Sequence, residues 1–254
     1  MTMKYFTYPL FLIFLLGTSY ITAAKTLTIA RGDGQYPPYE WLDDGIYKGI
    51  HIDLIKKAAT NLNIEIKFTS LPWSRALLEL KLGNIDALTF ISRNDLREQY
   101  GVFFSGNILS TTRLRLFKHK QNLKYSFNGK MSSIEDATVG VQRNFFYDKE
   151  FDSSTLFSKL GFKNYSQVLD MVLLKRIDFG IINELELLYA FKNDPRLKDI
   201  EFVSPPISQT DVYLAFSRKE NLIPLAKLFA EELARLTEGK FYTNLLKQYI
   251  SPSK

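Results

Sequence analysis

The sequence predicts an α/β protein with mostly parallel sheets, and three observations carry that reading. Apolar strand-like runs alternate with amphipathic helical stretches along the whole chain. "TLTIAR" at 26–31 is echoed by "TVGVQR" at 138–143, 112 residues later. A helix followed by Ile-Asp and an apolar strand occurs twice, with the Ile-Asp pairs starting at 85 and 177, 92 residues apart. These echoes fit ordinary α/β patterning, and they also fit two similar lobes. In the second case the strand exits of both lobes converge on one cleft, because open α/β sheets bind ligands beyond the carboxyl ends of their strands.

The chain has 254 residues, no Cys and 46% hydrophobic residues, enough for one large core or two small ones. Residues 1–24 stand apart, with Lys4 as their only charge, an apolar run "FTYPLFLIFLLGTSYI" and small residues "TAA" at 22–24. This reads as a secretory signal peptide cleaved near Ala24. The run is short for a bilayer span and contains Pro9 and Gly17. Without Cys the exported protein holds together without disulfides and offers no thiol nucleophile or thiolate ligand. Removing the leader takes the net charge from +6 to +5, since it carries one Lys and no acid. The charges are of mixed sign and scattered, so no nucleic-acid stripe is present.

In order, "KTLTIAR" (25–31) is a strand, and "GDGQYPPYEWLDDG" is a loop rich in Gly, Pro and aromatics. Ile52, Ile55, Ala59 and Leu62 recur at helical spacing within 49–62. "IEIKF" (64–68) is a strand, and "PWSRALLELKLG" is a helix with Pro72 at its start and Gly83 past its end. "IDALTFI" (85–91) and "RLRLF" (113–117) are strands. After a polar linker come the strand "TVGVQR" and the helix 164–175, where Asn164 and Gln167 have the spacing of a capping box. The strand "IDFGII" (177–182), the helix "ELELLYAF" and the strands "DIEFVS" and "DVYLAFS" follow. Two helices close the chain, Pro224–Glu238 and Phe241–Ile250, separated by Gly239.

Several chemistries are missing. The two histidines, His51 and His119, are far apart and form no metal motif, and His51 reads as a partly buried helix residue. "GDGQYP" lacks the third Gly and the following helix of a dinucleotide turn, and no phosphate loop or nucleophile elbow occurs. No cofactor is expected.

What remains is a set of polar and aromatic residues at the strand exits: Arg31, Asp33, Tyr36, Thr89, Ser92, Arg97, Arg143, Asn183 and Glu184. Trp73 and Arg75 open the helix after the second strand. Arg forks beside aromatic faces suit a small ligand with a carboxylate, because a bidentate Arg–carboxylate pair is both directional and strong. Tyr36 or Trp73 could cover apolar or cationic ligand surface. Trp73 fits core or pocket equally well. Asn94 reads as a helix cap, Arg93 as solvated, and Asp86 and Asp178 as structural.

At this point the chain resembles the bacterial periplasmic solute-binding proteins of family 3, the polar-amino-acid type that serves ABC importers. The resemblance rests on "YPPYEW" with "GIYKGIHIDLIKKAA", on "LKLGNIDALTF" with "NDLREQYGVFFS", on "TVGVQR", on "LLKRIDFGIIN" and on "LTEGKFYTNLLKQY". It implies a two-lobed type II fold with a two-strand hinge, closing on ligand like a trap. Lobe 1 would comprise 25–110 and 210–254, and lobe 2 would comprise 111–209, with hinge segments near Ser110–Thr112 and Pro206–Gln209. It further implies a non-enzymatic monomer in the periplasm, partnered by a small-molecule ligand and by ABC permease subunits. Two alternatives stay open on the same scaffold. One is a cyclohexadienyl-dehydratase-like enzyme with Glu184 or Asp33 as its acid, and the other is a sensing partner of a membrane receptor.

Residue by residue, Arg97 matches the carboxylate-binding Arg of the family. Ser92 and Thr89 match contacts to the ligand carboxylate or amine. Tyr36 and Trp73 match the aromatics that sandwich the side chain, and Asp33 matches a selectivity position. Phe146 stands where many members carry Ser or Thr. Asn183 stands where amino-acid binders carry the Asp that holds the ammonium. With Arg75, Arg97 and Arg143 near the cleft and Asn183 neutral, the expected site is more positive than an amino-acid site. It would favour an acidic or acylated carboxylate over a plain zwitterion. Glu184 is not expected to replace the missing charge, because neighbours at a strand end point to opposite sides.

Overall fold

The computed structural model describes residues 26–143 and 145–252, so the predicted leader at 1–24 lies outside the described residues. The first half runs β1 (Leu27–Gly32), a hairpin of β2 (Trp41–Asp43) and β3 (Ile46–Lys48), α1 (Ile50–Asn61), β4 (Ile66–Leu71), α2 (Trp73–Leu82), β5 (Ala87–Ser92), the single turn α3 (Asp95–Glu98) and β6 (Gly101–Val102). The long strand β7 (Ile108–His119) leads to the second half, with β8 (Thr138–Gln142), α4 (Lys149–Ser153), β9 (Ser158–Phe162), α5 (Tyr165–Leu173), β10 (Phe179–Asn183), α6 (Glu184–Ala190) and β11 (Ile200–Phe202). The chain returns through β12 (Ser208–Ser217) to α7 (Ile223–Glu238) and α8 (Lys240–Ile250).

The main strand order is β4-β1-β5-β12-β7-β10-β8-β9. β1 pairs parallel with β4 and β5, and β8 pairs parallel with β9 and β10. Between these two parallel triplets lie β12 and β7, paired antiparallel with each other. The result is two α/β lobes joined by two crossing strands. Each triplet is apolar on both faces, as a parallel sheet covered by helices must be. In the first lobe, Leu27, Ile29, Leu54, Phe216 and Phe229 fill one layer, and Ala30, Leu80, Leu88 and Ile91 fill the other. In the second lobe, Val139, Phe151, Phe179 and Ile181 form one layer, and Val168, Leu169, Val172 and Ile182 form the opposite one.

The two Ile-Asp repeats do the same job in each lobe. The Thr28 N–H donates to Asp86 Oδ2 at 2.8 Å, and the Asp86 N–H donates back to the Thr28 carbonyl at 2.9 Å. Thr138 and Asp178 make the same pair of bonds at 2.8 and 2.9 Å. Equivalent residues of β1 and β8 are therefore 28 and 138, an offset of 110, two short of the offset of the sequence echo. Arg31 and Arg143 are thus not counterparts. Arg31 lies within β1, opposite Ser70, and Arg143 lies past the end of β8.

Some elements differ from the sequence reading. The strand expected at 64–68 spans Ile66–Leu71, because it pairs residue for residue with β1 from Leu27↔Ile66 to Gly32↔Leu71. The aromatic loop contains a hairpin turned by Asp44 (φ 46°) and Gly45 (φ 78°), the left-handed pair that a two-residue hairpin demands. The sequence "SKLGF" forms β9, an edge strand with little apolar signal. The expected 113–117 strand is the middle of the twelve-residue β7. At α5, Asn164 Oδ1 accepts from the Gln167 N–H at 3.1 Å, while Gln167 reaches back to the N–H of Lys163. His51 is fully buried rather than partly so.

Candidate functional site

A cleft of about 620 Å³ opens between the lobes beside the crossing strands. From the first lobe come Gln35 and Tyr36 after β1, Trp73 at the start of α2, Phe90 and Ser92 on β5, and Arg97 on α3. From the second come Phe145, Tyr165, Asn183, Glu186 and Tyr189. Thr112 and Leu114 of β7 and Thr210 and Val212 of β12 line it as well.

Arg97 owes its position to local chemistry. β5 ends at Ser92, and Asn94 caps the following turn by accepting the Arg97 N–H at 2.9 Å. The guanidinium then folds back, and Nη1 donates to the Ser92 carbonyl and hydroxyl at 2.7 and 2.6 Å. It lies 5.7 Å from the centre of the Trp73 ring, a cation–π distance. Among the described residues neither Nε nor Nη2 of Arg97 has a partner, and no carboxylate pairs with it. One edge of the fork is held and the other is left for a ligand.

The aromatic wall is strained into place. Phe90 has φ 56°, a left-handed conformation that a bulky side chain avoids. Its ring stacks on Tyr39 at 5.3 Å and meets Tyr36 edge-on at 5.6 Å. Below this wall lies a buried ionic cluster. Arg31 and Glu40, both almost inaccessible, approach to 3.7 Å. Arg31 also donates to Ser70 Oγ at 3.1 Å, and Thr89 Oγ1 donates to Glu40 at 2.6 Å. His51 bonds Ser110 of β7 through Nε2 at 2.8 Å. This cluster fixes the loop after β1 against the crossing strand. The Thr89 hydroxyl is spent on it and does not line the cleft.

On the second lobe, Asn183 ends β10 and caps α6. Its Oδ1 accepts from the Leu185 N–H at 3.1 Å and from the Tyr39 hydroxyl at 2.8 Å. The latter bond joins the two lobes. Glu186, one turn into α6, presents its carboxyl to the cleft, and burial pushes its pKa up to about 7. Burial also raises the phenols of Tyr165 and Tyr39 above their ordinary range.

Of the residues expected from sequence, the cleft brings together Tyr36, Trp73, Ser92, Arg97 and Asn183. The others lie off its lining. Asp33 is exposed on the loop. Arg75 turns along its helix to Glu79 at 2.5 Å. Arg143 is exposed and donates to the Gly161 carbonyl at 3.0 Å. Phe146 is 71% exposed, and its neighbour Phe145 faces the cleft instead, packed on Tyr147 at 4.7 Å. Glu184 pairs with Arg115 at 2.8 Å and lines a separate cavity of about 390 Å³ behind the crossing strands. With Arg75 and Arg143 off the lining and Glu186 on it, the charged lining among the described residues is Arg97 and Glu186, and these residues show no positive excess. Among the described residues no cluster of three or more His, Asp or Glu side chains is arranged for a metal.

Residues 29–252 match the family described as bacterial extracellular solute-binding proteins, family 3. The chain belongs to this family. Solved structures of similar fold include the second substrate-binding domain of a putative amino acid ABC transporter from Streptococcus pneumoniae, at TM-score 0.67 and 22% identity, covering 88% of this chain and 100% of that one. The L-cystine solute receptor of Neisseria gonorrhoeae in its unliganded open conformation gives TM-score 0.72 and 17% identity, over 89% and 93% of the two chains. The second substrate-binding domain of Lactococcus lactis GlnP, also open, gives 0.68 and 19%, over 92% and 99%. At these identities the likeness establishes the fold. No curated protein matches the chain. In this family 3 solute-binding protein the interlobe cleft combines the half-free Arg97 fork with the wall of Tyr36, Tyr39 and Phe90.

Proposed function

We propose that the protein captures a small carboxylate-bearing solute of the amino-acid type between its lobes and delivers it to the permease subunits of an ABC importer. The observation that carries this reading is the half-open fork of Arg97, held by Ser92 and Trp73 on the cleft wall. The relatives described as amino acid transporter domains and as a cystine receptor support it. In this reading residues 1–24 are an export leader and the protein works in the periplasm as a monomer. Lobe 1 is 25–110 with 210–254 and lobe 2 is 111–209, so the boundaries fall inside β7 and β12. A thermal-shift screen of L-amino acids with their N-acetyl and deaminated analogues tests it. A ligand at 100 times its Kd adds about 2.7 kcal/mol, which raises Tm by roughly 5–11 °C at this size. A panel with no shift at millimolar concentration would remove the amino-acid-type ligand.

One observation favours a second reading. A carboxyl group with a pKa pushed up to about 7 suits general acid chemistry near neutral pH. A dehydratase on this scaffold would then use Glu186 rather than Glu184 or Asp33, neither of which lines the cleft. Incubation with prephenate or arogenate, followed by absorbance of the aromatic product, distinguishes it. Turnover that is lost in Glu186→Gln would establish the enzyme, and no turnover leaves the binding protein.

A further inference from the structure

We infer that Glu186, and not Asn183, receives the cationic group of the ligand, so that the cleft selects a solute carrying an N–H-donating cation together with its carboxylate. The inference rests on the reading of the cleft as a solute site and adds the second charge to it.

Asn183 is excluded as the acceptor by its own hydrogen bonds. A side-chain amide oxygen has two lone pairs. Asn183 Oδ1 is engaged by the Leu185 N–H and the Tyr39 hydroxyl. The Leu185 N–H has no choice but to donate, which fixes the oxygen, rather than the nitrogen, on that side. What Asn183 has left is its Nδ2 group, a donor. It serves a ligand carbonyl, hydroxyl or carboxylate and opposes an ammonium.

Glu186 has the complementary property. It stands three residues after Asn183, on the same side of α6, and lines the cleft. Among the described residues its carboxylate has no hydrogen-bond or ion-pair partner. The groups around it supply no cation. The Tyr39 hydroxyl donates to Asn183, and Tyr147 and Tyr165 are neutral phenols whose pKa values burial raises further. On β7, which packs on α6, Arg115 is committed to Glu184, and Arg113 donates to Gln209 at 3.3 Å beside Tyr242. On α8, Lys240 and Lys247 are exposed to solvent. Across the cleft, Arg97 is engaged by Ser92 and Trp73. An ionised carboxylate so placed is costly until a cation joins it. That cost is the reason its pKa is pushed up to about 7. A ligand ammonium favours the ionised form, so binding below neutral pH expels a proton and affinity falls as the solution is acidified.

The test uses the twenty L-amino acids, each beside its N-acetyl and deaminated analogue, on wild-type protein and Glu186→Gln, by calorimetry at pH 8 and pH 5.5. The expected result is that a free amino acid binds wild type best. In Glu186→Gln it should lose about 30-fold at pH 8, while the deaminated analogue binds both proteins alike. Wild type should weaken between pH 8 and 5.5 by about tenfold per unit below the carboxyl pKa, and the variant should not. A free amino acid that binds both proteins equally overturns the role of Glu186 and leaves the amino-acid reading standing. Binding confined to the acetylated or deaminated analogues overturns the cationic ligand and leaves the solute-binding reading standing. Silence of the whole panel overturns the amino-acid reading, and this inference with it.

Discussion

The free edge of the Arg97 guanidinium sets the largest single-residue effect expected on a carboxylate ligand. Arg97→Ala should weaken binding by at least about 30-fold, roughly 2 kcal/mol, because a desolvated carboxylate loses a two-point partner. Arg97→Lys should also lose affinity, since one ammonium cannot bond Ser92 and present a fork at once. Calorimetry checks both, and wild-type affinity in Arg97→Ala would remove it from the site. Glu186 predicts the opposite trade between binding and stability. Its folded pKa is about 7 against an ordinary value of 4.5, so between those values the native state holds more protons than the unfolded one. Stability then falls as pH rises through that window. Ligand-free Glu186→Gln should therefore be more stable than wild type at pH 8, by up to about 3 kcal/mol, and the gain should vanish below about pH 4.5. Denaturant melts at the two pH values measure this, and equal stability at pH 8 would show that Glu186 is well solvated. Arg97 was legible in the sequence because it follows a strand and a capping Asn. Glu186 is not legible in the same way, because the two-residue alternation of a strand stops at Asn183. The helix begins there and the period changes to 3.6, so 183, 186 and 190 share a side.

At the scale of elements, the loop after β1 is what brings Tyr36 and the buried Glu40 to the site, and Gly49 is its keystone. Gly49 has φ 125° and ψ 164°, a region open in practice to Gly alone, and its N–H donates to the Tyr249 hydroxyl at 3.1 Å. A Cβ there would press into the Tyr39 carbonyl. Gly49→Ala should cost about 1–3 kcal/mol and lower Tm by roughly 2–12 °C. An unchanged melting curve would show that the loop moves aside without penalty. The helical spacing within 49–62 is legible, yet nothing in "GIYKGIHID" shows this contact, since it comes from a loop ten residues away in the chain. The same limit explains β9. "SKLGF" is neither apolar nor alternating enough to declare a strand, and it exists because β8 offers a free edge from Thr138↔Ser158 to Gln142↔Phe162. Helices with their own punctuation were easier. Pro72 and the left-handed Gly83 (φ 68°) bound α2, as the sequence indicates.

For the whole molecule, the duplicated Thr–Asp bonds show one lobe plan used twice, and the crossing strands decide how the copies can move. The Ile-Asp pairs display the duplication in the sequence, but the shared arginines of "TLTIAR" and "TVGVQR" suggest an alignment of the first strands two residues away from the one the bonds make. In the structure Arg31 is locked in the ionic cluster, whereas Arg143 is exposed past the end of β8. Between the lobes, β7 and β12 are tied side by side. Thr111 Oγ1 donates to Asp211 at 2.6 Å, Thr112 Oγ1 to the Thr210 carbonyl at 3.1 Å and Arg113 Nε to Gln209 at 3.3 Å. Beyond these strands, the Tyr39–Asn183 bond also spans the lobes near the cleft. Lys192 Nζ also donates to the Tyr249 carbonyl at 3.1 Å, and Tyr189 packs on Trp41 at 5.7 Å, so α6 and the segment after it touch the first lobe as well. Rotation about the paired strands would exchange these side-chain contacts while each lobe keeps its core. A ligand that touches Arg97 on one wall and the α6 side on the other gains its second set of contacts only when the walls approach, so its binding free energy drives closure. Small-angle scattering on the protein saturated with whichever solute the thermal-shift screen identifies should show a smaller radius of gyration than the free protein. At about ten times the wild-type Kd, where wild type is roughly 90% filled, an Arg97→Ala sample weakened about 30-fold is only about a quarter filled and should keep the larger value. A wild-type curve that does not change at saturation would mean that the lobes are already at their closed separation, and the trap would give way to a preformed site.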